Sequence, residues 1–338
     1  MTTVRQARKL VLSLLLLPAL CAHANPGNGV AIAIHGGAGT ISRAEMTAER
    51  EAAFRAKLTE AVTAGHQVLI EGGDGVDAVR TAINILEDSP LFNAGKGAVF
   101  TAAGTNELDA SVMDGATRNA GAVAGVKHIR NPIDLAISVM NDSKHVMLSG
   151  DGAEAFAREQ GFEMIDPSYF YTEHRWKALE KAREGERDAA ASLAEPPKQT
   201  FFSTVGAVAL DANGDLAAGT STGGMTNKRW GRIGDSPVIG AGTFADNASC
   251  AVSATGHGEF FIRWVVAYDI CQRVAHGASM TEAAGTVIND VLVEAGGTGG
   301  VISLDANGDI AMPFNTEGMY RASIDTDGKL YVGIYGDE

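Results

Sequence analysis

The chain has 338 residues, of which 45% are hydrophobic and 20% charged, enough apolar material to bury a sizeable core in one large domain or two small ones. A formal net charge of -14 argues against nucleic acid as a partner, because its phosphates would be repelled. Forty-one glycines point to many tight turns and close backbone approaches.

The N-terminus reads as an export signal. Arg5, Arg8 and Lys9 precede an apolar run over residues 10–20 that is too short to span a bilayer, and Ala22-His23-Ala24 fits a small-x-small cleavage site. Cleavage after Ala24 would leave Asn25 first. Residues 17–20 before Cys21 make a poor lipobox, with Leu20 where a small residue belongs. No later segment is long and apolar enough to span a membrane. The expectation is a soluble, exported protein, periplasmic in a Gram-negative source. Beyond the signal stand Cys250 and Cys271, each in an apolar setting. They read as two buried thiols rather than a disulfide, and nothing has the spacing of a zinc site.

Residues 30–34 form an apolar strand that runs into the glycine turn His35-Gly36-Gly37-Ala38-Gly39. Residues 45–71 carry apolar positions at helical spacing and stop at Gly72-Gly73. A second helix covers 74–88, with Val76, Val79, Ile83 and Leu86 on one face and Pro90 just beyond. Residues 91–114 are strand-and-turn sequence, and 121–126 another apolar strand. Helices are predicted over 132–140, 153–160 and 172–183. The charged, Pro-containing run 184–199 reads as a flexible loop, extending as a linker to about 203.

From Thr204 onward the pattern turns to hairpins. Asn213-Gly214 and Asn307-Gly308, each flanked by aspartates, are strong hairpin signals and poor calcium loops. Between them, 259–276 and 281–295 read as long helices with apolar faces. Antiparallel hairpins plus amphipathic helices predict one α+β domain layered helix, sheet, sheet, helix.

Thr204 stands where the linker meets a strongly apolar strand, 205–210. Threonine there also suits plain β-propensity. If the chain is cut before it, however, the threonine gains a free α-amine and carries its own general base. Three Thr/Gly-rich turns follow, over 219–228, 232–237 and 254–259. An amide hydrolase needs oxyanion donors and a substrate handle besides its nucleophile. Thr255-Gly256 offers a hydroxyl and a backbone N–H. Arg232 suits a carboxylate and Asp235 an ammonium, although the two also read as a surface ion pair. His35 and His257 are read as satisfied hydrogen-bonding residues without a catalytic role.

Ordered motifs then carry a resemblance across residues 30–335. They are Ile34-His35-Gly36-Gly37-Ala38-Gly39, Pro90-Leu91-Phe92-Asn93-Ala94-Gly95, Glu107-Leu108-Asp109-Ala110, Thr204 to Asp211, Thr220-Ser221-Thr222-Gly223-Gly224, Gly231 to Pro237, Ala254 to Glu259 and Pro313 to Met319. Together they resemble the plant-type L-asparaginase/isoaspartyl peptidase family of N-terminal-nucleophile hydrolases. The resemblance implies an αββα sandwich that cuts itself between Ser203 and Thr204 into an α subunit (25–203) and a β subunit (204–338), assembled as (αβ)2. It implies Thr204 as nucleophile, Thr222 supporting it, Thr255 and Gly256 as oxyanion hole, Arg232 on the substrate α-carboxylate and Asp235 on its α-amine. Gly258 and Asn93 would lie at the same pocket. It further implies a structural sodium on backbone carbonyls of Leu86, Glu87, Ser89, Phe92, Ala94 and Lys96, with no catalytic metal or organic cofactor. The substrates would be asparagine and β-aspartyl dipeptides. One departure is Ser203, where the family usually has Gly. Serine resists the strained φ that promotes rearrangement, so slower cleavage is expected. Glycosylasparagine hydrolysis is the rival activity, disfavoured by Gly223-Gly224 where Asn-Gly would stand. A non-catalytic periplasmic binding protein for aspartyl compounds is the rival class, disfavoured by the lack of a repeated βαβ pattern.

Overall fold

The computed structural model describes residues 29–192 and 204–338; the expected signal segment (1–24) and Ser203 lie outside the described residues. Strand β1 (Ala31–Gly39) is buried along its whole length. The expected glycine turn at 35–39 is instead a continuation of that strand, kinked by a register shift between His35 and Gly37, where Gly37 adopts φ 112°. Helix α1 (Ala48–Ile70) starts where the Thr47 side chain accepts the Arg50 N–H. Asp74 caps α2 (Gly75–Glu87) in the same way, accepting from Asp77 N at 2.8 Å. A loop with a 3-10 turn at Gly95–Gly97 leads into β2 (Leu108–Asp114) and β3 (Ala120–Val126). Next come α3 (Pro132–Asp142), β4 (Met147–Ser149), α4 (Gly150–Glu159) and α5 (Glu173–Ser192).

The second stretch opens with β5 (Val205–Leu210) and β6 (Leu216–Thr222), then β7 (Thr243–Ala245) and β8 (Cys250–Gly256). Helices α6 (Gly258–Trp264) and α7 (Val266–Ala275) follow. Helix α8 (Met280–Thr286) runs through a π turn (Val287–Val291) into α9 (Leu292–Glu294). Strands β9 (Gly299–Asp305), β10 (Ile310–Ala311), β11 (Gly318–Ile324) and β12 (Leu330–Tyr335) end the chain.

Among the described residues the fold is mixed α+β with two sheets, one ordered β12-β11-β1-β5-β6-β2-β3-β4 and the other β10-β9-β8-β7. Pairing is antiparallel except between β3 and β4. In the larger sheet, strands from before residue 193 (β1 to β4) are interleaved with strands from after residue 203 (β5, β6, β11 and β12). Alternation within strands sorts the core. Ile32, Ile34, Val205, Ala207 and Ala209 pack with Leu58, Val79, Ile83 and Ile133 of α1, α2 and α3. Their neighbours Ala31, Ala33, Val208 and Leu210 pack with Val252, Ile302, Ile270 and Ile288 of the smaller sheet and its helices. The Asn-Gly hairpins form as predicted. Asp211 Oδ1 accepts from Asn213 N and Asp215 N, and Asp305 Oδ1 accepts from Asn307 N and Asp309 N. Asp325 closes the β11–β12 turn with the same pattern, without an Asn-Gly to announce it.

Three further expectations are corrected. The loop expected from 184 is helical to Ser192, because Glu, Arg and Ala there favour helix even without an apolar stripe. The remaining linker, 193–203, lies outside the described residues. The single helix expected over 259–276 breaks at Val265, which adopts φ 50° and ψ 46°. Cys250 and Cys271 are not two thiols but a disulfide, joining the start of β8 to α7 with Cα atoms 5.2 Å apart. No helix among the described residues is long and apolar enough to cross a membrane.

Candidate active site

Thr204 immediately precedes β5, which lies between β1 and β6 in the larger sheet. It is only 7% exposed, and its hydroxyl donates to Thr222 Oγ1 at 3.1 Å from the end of the adjacent strand. Thr222 Oγ1 also accepts from Gly224 N at 3.0 Å, so the turn after β6 fixes the hydroxyl facing Thr204. Thr204, Thr222, Arg232, Asp235 and Gly256 line one small cavity, with Met225 and Ser236 beside them.

Arg232 and Asp235 do not pair with each other by hydrogen bonds. Arg232 donates through Nε and Nη2 to both carboxylate oxygens of Glu259, at 2.9 and 3.0 Å. His257 Nε2 approaches the same carboxylate at 3.2 Å. His257 and Arg232 together hold the Glu259 carboxyl far below the usual range. Asp235 is 5% exposed, and its Oδ2 is buried without a hydrogen-bond partner. Burial pushes this carboxyl up to about 7, against the opposing pull of Arg232. A buried carboxylate oxygen lacking a donor, beside a guanidinium, suits a ligand carrying both an ammonium and a carboxylate. Gly258 packs against this pair: a methyl there would fall 2.8 Å from Asp235 Oδ1 and 2.9 Å from Arg232 Nη2.

Gly256 ends β8 at φ 154°, where a side chain would run into Thr298 O and the Phe261 ring. Thr255 is fully buried, and its Oγ1 accepts from Ala38 N at 3.3 Å at the end of β1. Its hydroxyl proton remains to donate. Asn93 stands behind the cavity rather than in its lining. Its Nδ2 donates to Gly224 O at 2.7 Å, its Oδ1 accepts from Val99 N, and its carbonyl accepts from Gly223 N, so it braces the turn that carries Thr222.

Under the same turn lies a buried ion pair missing from the sequence reading. Lys228 Nζ is 3.9 Å from Asp109 Oδ2 and donates to Glu107 O at 2.9 Å. Burial pushes Asp109 up, with Lys228 opposing. The other omission is Glu259, whereas His35 is the satisfied hydrogen-bonding residue that the sequence suggested. Glu259 is two residues beyond His257, a charge next to an expected binding motif, and that proximity was the available signal. His35 is fully buried and donates from Nδ1 to the Thr204 carbonyl at 2.9 Å. Burial pushes it down to about 3, so it is neutral and acts as a hydrogen-bonding residue.

The loop named for a cation is built around glycines. Leu86 lies in the last turn of α2, where its carbonyl accepts from Asp88 N and Ser89 N. The Glu87 carboxyl accepts from Ser221 Oγ at 2.6 Å and Ile133 N at 3.1 Å, and burial pushes it up to about 8. Ser89 Oγ accepts from Leu91 N, Phe92 packs edge-on against Phe54 and Tyr320, the Ala94 carbonyl accepts from Gly97 N, and Lys96 Nζ lies over the Tyr169 ring. A methyl at Gly95 or Gly97 would collide with the Glu87 or Phe92 carbonyl oxygen, so both carbonyls face into the loop.

The family model described as Asparaginase matches residues 28–334. The chain belongs to the asparaginase family. This family member is 53% identical to the isoaspartyl peptidase of Escherichia coli over 293 residues, covering 86% of this chain and 91% of that protein. It is 50% identical to the isoaspartyl peptidase of Salmonella typhimurium over 297 residues, covering 87% and 95% respectively. It is also 40% identical to the isoaspartyl peptidase/L-asparaginase of Xenopus laevis over 307 residues, covering 91% and 96%. It is a hydrolase like these relatives.

Proposed function

We propose that this hydrolase cleaves β-aspartyl dipeptides and the side-chain amide of L-asparagine, using Thr204 as nucleophile after cutting itself between Ser203 and Thr204. The observation that carries the reading is the Thr204–Thr222 hydroxyl pair in a cavity shared with Arg232 and the unpartnered Asp235 carboxyl. The substrate names of the relatives supply the aspartyl half.

In this reading Arg232, oriented by Glu259, takes the substrate α-carboxylate, and Asp235 becomes fully charged as it accepts the α-ammonium. Thr222 orients the Thr204 hydroxyl, whose proton passes to the freed α-amine of Thr204 as its oxygen attacks the side-chain carbonyl. The Thr255 hydroxyl and the Gly256 N–H stabilise the oxyanion. Ammonia or the amino acid leaves with a proton, and water then hydrolyses the aspartyl ester. Asn93 and Gly258 shape the site without touching the reacting atoms.

The same reading gives an α subunit (25–203), a β subunit (204–338), an αββα layering and an (αβ)2 assembly. The Glu87 and Phe92 carbonyl oxygens face into the 86–96 loop, neutral donors that suit a hard monovalent cation such as sodium, whose role would be structural. Export is supported by the signal-like sequence of residues 1–24 and by a disulfide, which persists in oxidising compartments.

Intact-mass analysis of wild type and Thr204→Ala after incubation at neutral pH tests the mechanism. Wild type should split at Ser203–Thr204 and release aspartate from a β-aspartyl dipeptide, while the variant stays whole and inactive. An uncut wild type that hydrolyses the dipeptide, or an active Thr204→Ala, overturns it.

A further inference from the structure

The space between the two sheets holds polar side chains that the proposed chemistry does not use. His35 Nδ1 lies 2.9 Å from Thr204 O, and a carbonyl only accepts, so Nδ1 carries the proton and Nε2 is an acceptor. Nε2 is 3.0 Å from Ser253 Oγ on β8. Ser253 Oγ is 2.7 Å from Thr220 Oγ1 on β6, and Thr220 Oγ1 is 2.6 Å from Thr243 Oγ1 on β7. Thr243 Oγ1 is 2.7 Å from Ser111 Oγ on β2, which reaches the Ser236 carbonyl at 2.6 Å. His35, Ser111, Thr220, Thr243 and Ser253 are each fully buried. The chain therefore starts on the carbonyl of Thr204 and ends one residue from Asp235.

Gly206, two residues into the same strand, is what lets these groups meet. A methyl there would overlap both Ser253 Oγ and His35 Nε2. Both ends of the row are acceptors, so the four hydroxyl protons fill four of its five links at a time, and rotating the hydroxyls moves the unfilled link along the row. A buried, hydrogen-bonded row of this kind rigidifies its ends and couples them.

We propose that His35 is a positioning residue for Thr204, held in register with the Asp235 end of the site by the buried hydroxyls of Ser253, Thr220, Thr243 and Ser111. This rests on Thr204 being the nucleophile. The row sets where the first residue of β5 stands relative to the substrate fork, so its loss misplaces the attacking oxygen and costs turnover more than it costs binding. At the far end, Ser111 fixes the Ser236 backbone beside Asp235, and its loss weakens recognition of the aspartyl half.

The test compares Thr220→Val, Thr220→Ser, Ser111→Ala and His35→Asn with wild type and Thr204→Ala. Each full-length protein is checked by intact mass, thermal melting and steady-state hydrolysis of a β-aspartyl dipeptide. Thr220→Val should lower kcat, or the rate of chain cleavage, by about 10- to 100-fold with KM within about threefold, the scale of a mispositioned nucleophile. Thr220→Ser, which restores the hydroxyl, should recover most of that loss even if its melting temperature is lower. Ser111→Ala should raise KM more than it lowers kcat. His35→Asn, which keeps a donor near the Nδ1 position but not the link to Ser253, should behave like Thr220→Val. The proposal fails if Thr220→Val matches wild type in cleavage, kcat and KM. It also fails if Thr220→Ser is no better than Thr220→Val, or if all losses follow melting temperature alone. Activity in Thr204→Ala would instead sink the underlying nucleophile assignment. An inactive Thr204→Ala beside an unaffected Thr220→Val sinks only the positioning chain.

Discussion

Asp235 shows how one side chain sets a pH dependence. Its carboxyl is raised to about 7 by burial, so in the free protein it is largely protonated below that pH and charged above it. An ammonium ligand binds the charged form, and kcat/KM should climb as pH rises through about 7. Asp235→Asn should remove that limb and cost about 10- to 100-fold in kcat/KM, the range for a hydrogen bond to a charged group. A limb that persists in kcat at about pH 7.7–8.0 would belong to the α-amine of Thr204. Persistence of the kcat/KM limb near 7 in Asp235→Asn would show that another group titrates. Folding stability carries the opposite sign. A carboxyl raised above its unfolded value costs stability as pH climbs from about 4 to 7, and the variant should lose less over that window. The sequence made Thr204, Thr222, Arg232, Asp235 and Gly256 legible because each is a chemically marked residue in a turn or at a strand end. It marked His35 as a hydrogen-bonding residue but left its links to Ser253 and Thr220 illegible, because the partners of a buried polar group stand up to 218 positions away.

At the scale of elements, sequence patterns were reliable where a stripe or a turn residue marked them, as in α2 and the Asn-Gly hairpins. They failed where structure is held by contacts from elsewhere. The break between α6 and α7 falls at Val265, a β-branched residue at φ 50° with no glycine or proline to signal it. Gly240 O accepts from Tyr268 N and Ala241 O accepts from Ala267 N, so the turn after Asp235 captures the first turn of α7 and imposes the break. Valine is strained in this region by about 1–2 kcal/mol, and it is 44% exposed, so little packing offsets the strain. Val265→Gly should therefore raise the melting temperature, by about 2–4 °C per kcal/mol gained. A lower melting temperature would mean that the valine methyls contribute more than the backbone loses.

At the scale of the whole molecule, a cross-link stands where the residue pattern offered least warning. Two cysteines 21 residues apart in apolar segments look like core thiols until the fold brings β8 and α7 face to face. Closing a loop of that length stabilises by about 2–4 kcal/mol. The double variant Cys250→Ala/Cys271→Ala should lose that much unfolding free energy, melt at a lower temperature and lose its response to reductant. A melt unchanged from wild type would leave the bond without a stabilising role. Because β8 also carries Thr255 and Gly256, activity in the double variant should fall at temperatures well below its global melt.

The interleaving of the larger sheet reaches beyond stability. In an uncut chain every strand pairing is intramolecular, and refolding from denaturant is first order. A chain cut before Thr204 contributes β1 to β4 from one polypeptide and β5, β6, β11 and β12 from another. Neither set forms the continuous sheet alone, and β1 meets only strands of the other piece. Denaturing the cut protein therefore turns a unimolecular reaction into an encounter between two polypeptides. Its refolding half-time should lengthen as the solution is diluted, whereas that of uncut Thr204→Ala should not.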